Sequence, residues 1–185
     1  MGLSSSVCMP MSMTMIRRLS LAFAFATLTL CSAPAVAGVD AQQRGLDLTL
    51  VRQINAFRTS HGLAPLRPSP ALDAAALEHS REMARDGYFA HSSRDGLPFW
   101  RRIEQFYALR GYASWSVGEN LAWAAPSLDS RSTLELWLGS RGHRANLLNP
   151  RWREVGVAAV HSAGVPQIFG GDAFTVVTAD FGART

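Results

Sequence analysis

Lysine is missing from this chain: all 18 of its Lys-or-Arg positions are arginine. That excludes a phosphate-loop lysine, a Ser-x-x-Lys nucleophile pair and a Schiff-base lysine. Cysteine is almost as scarce, with Cys8 and Cys31 alone, both near the N-terminus. The rest of the chain therefore has neither a disulfide nor a thiol nucleophile, and papain-like or Cys-dependent transpeptidase chemistry is set aside. There is no His-Glu-x-x-His zinc-protease motif, no Gly-x-Ser-x-Gly elbow, no internal repeat and no low-complexity tract. Long apolar runs are also lacking. The one candidate, Leu19 to Leu30, is too short to span a bilayer comfortably.

That short run has a different reading. Arg17-Arg18 precedes it and Ala35-Val36-Ala37 follows it, the order of a secretory signal peptide with cleavage after Ala37. Cys31 raises lipidation as an alternative, but Leu30 is larger than the residue that normally precedes a lipidated cysteine. Residues 1–37 are therefore taken as a signal peptide, 38–46 as a short polar lead-in and 47–185 as one domain. Without Arg17 and Arg18, 16 arginines face 14 carboxylates, a balance of +2 that does not argue for nucleic acid. The expected product is a secreted or periplasmic monomer with no stable membrane span.

Within the domain, Leu48, Val51, Ile54 and Phe57 recur at helical spacing and stop at His61-Gly62. Ala64 to Pro70 reads as a rigid, proline-rich connection. A second helix carries Leu72, Ala76, His79 and Met83 on one face and stops at Gly87. A third begins at Pro98, buries Phe99, Ile103, Phe106 and Tyr107, and ends at Gly111. Residues 112–123 have no single period, and Tyr112, Trp115 and Val117 allow an extended segment. Ser127 or Asp129 caps a helix with Leu134, Trp137 and Leu138, broken by Gly139 and Gly142. The period then changes to two: Val155, Val157 and Ala159 alternate, and Phe174 to Phe181 forms a second strand across a glycine-rich turn. Helices first and strands last predict an α+β domain with helices packed on an antiparallel sheet.

Three short motifs carry side chains able to hold a metal or move a proton: His91, Glu119 in Gly118-Glu119-Asn120-Leu121, and His143 in Gly142-His143-Arg144-Ala145-Asn146. Two neutral imidazoles and a carboxylate suit zinc, whose bound water would be a hydrolytic nucleophile. Each residue also has a structural reading: a loop hydrogen bond for His91, a turn carboxylate for Glu119, a helix start for His143. Ser92 and Ser140 adjoin the histidines but have no third orienting residue, so no nucleophile is assigned. His79 reads as a core histidine, and His61 and His161 as surface or strand-end residues. Most of Trp100, Trp115, Trp123, Trp137 and Trp152 read as core, with a carbohydrate or lipid platform as the alternative. Arg101-Arg102 and Arg151 to Arg153 read as solvated faces.

These motifs, with Ile54-Asn55-Ala56-Phe57-Arg58, Leu63-Ala64-Pro65-Leu66, Phe89-Ala90-His91-Ser92 and Glu154-Val155-Gly156-Val157, resemble the CAP superfamily (the SCP/TAPS or pathogenesis-related-1 type) in its short bacterial secreted form. The resemblance covers nearly all of residues 47–185. It implies a three-layer α-β-α sandwich with a central antiparallel sheet and a cleft in which His91 and His143 hold zinc or another divalent metal, not as a requirement. Glu119 would be the first acid and tentative general base, or would orient a ligand or water. The second acid usual in eukaryotic members falls on Ser140 here, and Glu135 does not match its position. Asn120, Ser140, Arg144 and Asn146 would line or support the cleft, with Arg144 placed to meet an anionic ligand. By this resemblance the function is recognition of an envelope lipid, glycan or peptide. The alternatives are a zinc-assisted hydrolase of cell-wall peptidoglycan and an interaction module without site chemistry.

Overall fold

The computed structural model describes residues 34–164 and 166–185, with side chains from residue 44 onward. Of the expected signal peptide only residues 34–37 fall among them. Helix α1 spans Pro34–Ser60, so it begins earlier than the apolar spacing predicts and residues 38–46 continue it. Leu50 and Ile54 carry its buried stripe, and Gly62, at φ 74°, lets the chain turn away where the helix ends. Helix α2 spans Pro70–Asp86, with proline in its first turn and Gly87 closing it through a bond from its N–H to Met83 O. Its buried face is Leu72, Ala75, Ala76, His79, Ser80, Met83 and Ala84, the face expected.

Helix α3 covers only Phe99–Phe106, ending before Gly111. Ile103 and Tyr107 are fully buried, but Phe106 stands at the helix end and is 40% exposed. Arg102 takes part in the buried face instead. Strand β2 is Trp115–Ala124. Helix α4 is Ser130–Gly139, capped by Asp129, whose carboxylate accepts from Ser132 N at 2.7 Å. Gly139 ends α4, whereas Gly142 lies inside the next helix, α5, Arg141–Leu147. Strands β3 (Glu154–Ser162) and β4 (Phe174–Arg184) follow, joined through a short 3₁₀ turn at Gln167–Phe169.

With the two-residue strand β1 at Arg67–Pro68, the sheet order is β1-β3-β4-β2. β2 and β3 both run antiparallel to β4, in agreement with the alternating pattern. The connection after α1 adds a two-residue strand, β1 (Arg67–Pro68), parallel to β3, so the sheet is antiparallel except at this edge. Asn55 holds that connection by exchanging both amide bonds with the backbone of Leu66, at 2.9 and 2.7 Å.

The two faces of the sheet bury different layers. Val155, Val157, Ala159, Val177, Ala179 and Phe181 pack with Leu50, Ile54, Trp137 and Leu147, which places α1, α4 and α5 on one side. The other side carries α2 and α3: Ser80 bonds Ala158 O and Thr178 Oγ1, and Leu121, Val176 and Phe174 pack with Met83. Each fully buried aliphatic or aromatic side chain of these cores contributes about 1.5–3 kcal/mol. Helix α2 lies so close to β3 that a Cβ on Gly156 would stand 2.1 Å from the α2 backbone. The result is the expected three-layer α-β-α sandwich. Among the described residues no helix is long and apolar enough to cross a membrane.

Candidate functional site

β2 is an edge strand, and its alternation divides three consecutive residues between the layers. Glu119 faces the α2–α3 side, while Gly118 and Asn120 face α5. His91 reaches this edge from the loop after α2, and His143 from the first turn of α5. Two motifs remote in sequence thus meet around the outer edge of β2.

The backbone that carries His91 is fastened on both sides by buried side chains. His79 is fully buried and donates Nε2–H to Ala90 O at 2.9 Å. Burial lowers its pKa and keeps the ring neutral, so its 3.5 Å approach to Glu82 is not an ion pair near neutral pH. Arg102 donates from Nη1 to His91 O at 3.0 Å. Its Nη2 donates to Glu119 Oε2, and the other oxygen of that carboxylate accepts from His91 Nδ1 at 2.7 Å. The Glu119 side chain is 0% exposed and that of His91 is 52% exposed, so the charge pair lies inside and the imidazole reaches out. With Nδ1–H committed to Glu119, Nε2 is the ring nitrogen left for the cleft.

On the α5 side the site is a chain of amides. Trp152 Nε1 donates to Asn146 Oδ1 at 3.0 Å, Asn146 Nδ2 to Asn120 Oδ1 at 3.0 Å, and Asn120 Nδ2 to His143 O at 3.2 Å. Asn146 Nδ2 also reaches the edge carbonyl of Glu119, at 3.2 Å. Gly118 allows this close approach: a Cβ there would lie 2.7 Å from both Asn146 Oδ1 and the Trp152 ring. Arg58, buried at the end of α1, donates to Leu147 O at 2.7 Å and Asn149 O at 3.0 Å, holding the C-terminal end of α5. Burial, and then the His91 charge, lowers the pKa of His143 and favours its neutral form.

Between these walls is a cleft of about 460 Å³, lined among others by His91, Asn120, Ser140, His143, Asn146 and Asn149. Six of the expected residues therefore meet here, with Glu119 contributing its backbone while its carboxylate stays behind His91. Arg144 is exposed and lies outside the lining of the cleft. Glu135 is exposed and paired with Arg131. A second cavity of about 440 Å³ lies between α1, α2 and β3, with Leu48, Val51 and Leu77 in its walls. Its carboxylates, Asp47 and Asp73, are bonded to the β3 edge at Ala159 N and Val157 N, so the site chemistry is concentrated at β2.

Sequence reading missed Arg102, Asn149 and the anchoring roles of His79 and Trp152. Arg102, read with Arg101 as a solvated face, is 3% exposed, and that reading is corrected. A signal existed: Arg102 follows Phe99 by three residues and adjoins Ile103, on the apolar stripe of α3. Of the tryptophans, Trp137 and Trp152 are core and Trp100 is exposed.

The implied metal can be tested against these donors. Both Glu119 oxygens are engaged, and among the described residues no group of three or more His, Cys, Asp or Glu could hold an ion. Two imidazoles do not make the three-ligand set of a resident catalytic zinc.

Comparison with known proteins agrees with this architecture. The model of the cysteine-rich secretory protein family, CAP, matches residues 51–181, although that span contains no cysteine. The chain is 32% identical over 138 residues to the uncharacterized protein YkwD of Bacillus subtilis, covering 74% of this chain and 49% of that protein. It thus spans about half the length of this relative, and 31% of the B. subtilis membrane protein YlbC, to which it is 33% identical over 118 residues. The crystal structure of an extracellular SCP-domain protein from Bacillus anthracis superposes with a TM-score of 0.63 at 26% identity, covering 78% of this chain and 42% of that one. An outer surface protein of Borrelia burgdorferi shares the fold at 20% identity and a TM-score of 0.58, over 74% of this chain and 91% of its own.

Proposed function

The chain belongs to the cysteine-rich secretory protein (CAP) family, and on that premise we propose that it is a secreted or periplasmic binding domain. Its β2-edge cleft takes a polar portion of an envelope polymer, glycan or peptide. The composition of the cleft carries this reading: two imidazoles, three carboxamides and a hydroxyl converge on it. Such groups hydrogen-bond sugar hydroxyls and peptide amides, whereas a lipid tail calls for apolar walls. The signal-peptide pattern and the extracellular and outer-surface descriptions of the B. anthracis and B. burgdorferi proteins support the location.

The test is co-sedimentation of the protein with purified peptidoglycan sacculi. Wild type is expected in the pellet, and His143→Ala is expected to bind about tenfold more weakly, a loss near 1.4 kcal/mol. Equal retention of the two proteins would contradict the assignment of the cleft.

One observation favours a second reading, hydrolysis of the same polymer. Glu119 fixes the His91 ring so that Nε2 can accept a proton from a water attacking the bound ligand, and the imidazolium formed is held by Glu119 backed by Arg102. Glu119 then acts through His91 and not as the base itself. Mass spectrometry of the supernatant decides: fragments released by wild type but not by Glu119→Gln establish the hydrolase, and none from either protein leaves binding alone.

A further inference from the structure

The cleft continues past one of its walls. Ser140 lines it and also lines a groove of about 760 Å³ between the end of β2 and α4. The two spaces differ in chemistry. Beyond Ser140 the imidazoles and carboxamides give way to Ala124, Leu128 and Leu136, and Leu136 is 50% exposed. Glu135, the charged residue of this groove, is paired with Arg131. Ser140 is the saddle between cleft and groove. It closes α4 and opens α5 in extended backbone, at φ −97° and ψ 122°, and its hydroxyl makes no capping bond to α5.

A glycine stands on each side of this saddle. Gly139 ends α4 and lines the groove, and Gly142 lies in α5 and lines the cleft. Glycine weakens a helix relative to alanine, because it loses more backbone freedom on folding. Among the described residues nothing calls for it at either position: neither has a positive φ, and a Cβ on either would meet no atom within 4 Å. Gly118 and Gly156 are the opposite case, since neighbours fill the space of their missing Cβ. At Gly139 and Gly142 that space is open, and it leaves room for a chain to cross the α4–α5 junction close to the backbone.

We propose that cleft and groove form one binding track and that its occupant is an extended peptide, the peptide portion of the envelope polymer, which crosses over Ser140. This assignment rests on the binding reading of the cleft and narrows it. An extended peptide offers amides to the Ser140 hydroxyl and the cleft carboxamides, and small apolar side chains to Leu128 and Leu136. A glycan fits the second half poorly. Apolar walls would strip water from its ring hydroxyls without replacing the hydrogen bonds. Among the described residues no Trp, Tyr or Phe lines either space to receive the face of a sugar.

The experiment is chemical-shift mapping on the full chain with two probes, the disaccharide-tetrapeptide released from peptidoglycan and the same disaccharide without its peptide. The first is expected to shift His143 and Asn146 together with Ser140 and Leu136. The second is expected to leave Leu136 unmoved and to bind about tenfold more weakly. Gly139 lines the groove alone, so Gly139→Leu is expected to melt no lower than wild type yet bind the disaccharide-tetrapeptide about tenfold more weakly. Equal affinity for the two probes would make the glycan the occupant and overturn the proposal. A folded Gly139→Leu protein that binds like wild type would do the same. If that variant does not fold, Leu136→Ser, at a half-exposed site, decides: weaker binding is expected, and unchanged binding overturns the proposal. Shifts at His143 and Asn146 with none at Leu136 would refute the track and leave the cleft reading standing, whereas no shift at either would refute both.

Discussion

Arg102 is the residue on which the buried side of the site depends. It links the backbone of His91 to the carboxylate of Glu119, and its own side chain is 4% exposed. Arg102→Leu leaves Glu119 buried without its cation, and removal of one partner from such a pair costs about 3–5 kcal/mol. Chemical denaturation is expected to show that loss, whereas Arg101→Leu, whose side chain is 55% exposed and paired with Glu104, is expected to be near neutral. The contrast separates the buried member of this Arg-Arg pair from the solvated one. At this scale the sequence displayed His91, Glu119, Asn120, His143 and Asn146, because each sits in a short motif. It did not display the pairing of Arg102 with Glu119, which only the packing of α3 against β2 creates.

At the scale of elements, the cleft exists because among the described residues no strand pairs with the outer edge of β2, and two close packings bring helices to the sheet. Gly156 lets α2 lie against β3, and Gly118 lets Asn146 and Trp152 reach β2. Gly156→Ala would place a methyl group against backbone that cannot swing aside, and a cost of about 1–3 kcal/mol is expected in a thermal or denaturant melt. Gly118→Ala acts on movable side chains instead. It is expected to melt closer to wild type but to displace the Asn146 and Trp152 resonances. Helices α2 and α4 were legible from their apolar spacing and caps, and β3 and β4 from their alternation. β1 was not, since a two-residue strand inside a proline-rich connection has no period to detect. The end of α3 was misplaced because Phe106 and Tyr107 are both aromatic and only Tyr107 continues the buried stripe.

The whole molecule has a second sheet edge, and it responds to pH. Beyond β1, the β3 edge is capped by Asp47 and Asp73, which accept from Ala159 N at 2.9 Å and Val157 N at 3.0 Å. Such capping blunts an edge that could otherwise pair with another chain. Burial, against the lowering effect of the Ala159 bond, pushes Asp47 up to about 7. A raised acid binds its proton more tightly in the folded state. Its contribution to stability is therefore complete below the unfolded value of 3.8 and is lost as pH rises towards 7. Asp47→Asn keeps the carbonyl acceptor and removes the titration, so its stability relative to wild type is expected to rise between pH 4 and pH 8. His79 and His143 act in the opposite sense. Their lowered pKa values cost stability as pH falls below 6.5, which Asp47→Asn does not change.

The three-layer architecture was legible from the order of helices and strands together with the family motifs. The identity of the ligand was not, because it depends on which side chains converge at one strand edge. The most direct measurement is therefore amide and side-chain chemical-shift mapping while soluble peptidoglycan fragments are added to the labelled protein. Shifts are expected to centre on His91, Asn120, His143, Asn146 and Asn149. Shifts centred instead on Leu48, Val51 and Leu77, at the cavity between α1 and α2, or no shifts at all, would contradict the β2-edge cleft as the binding site.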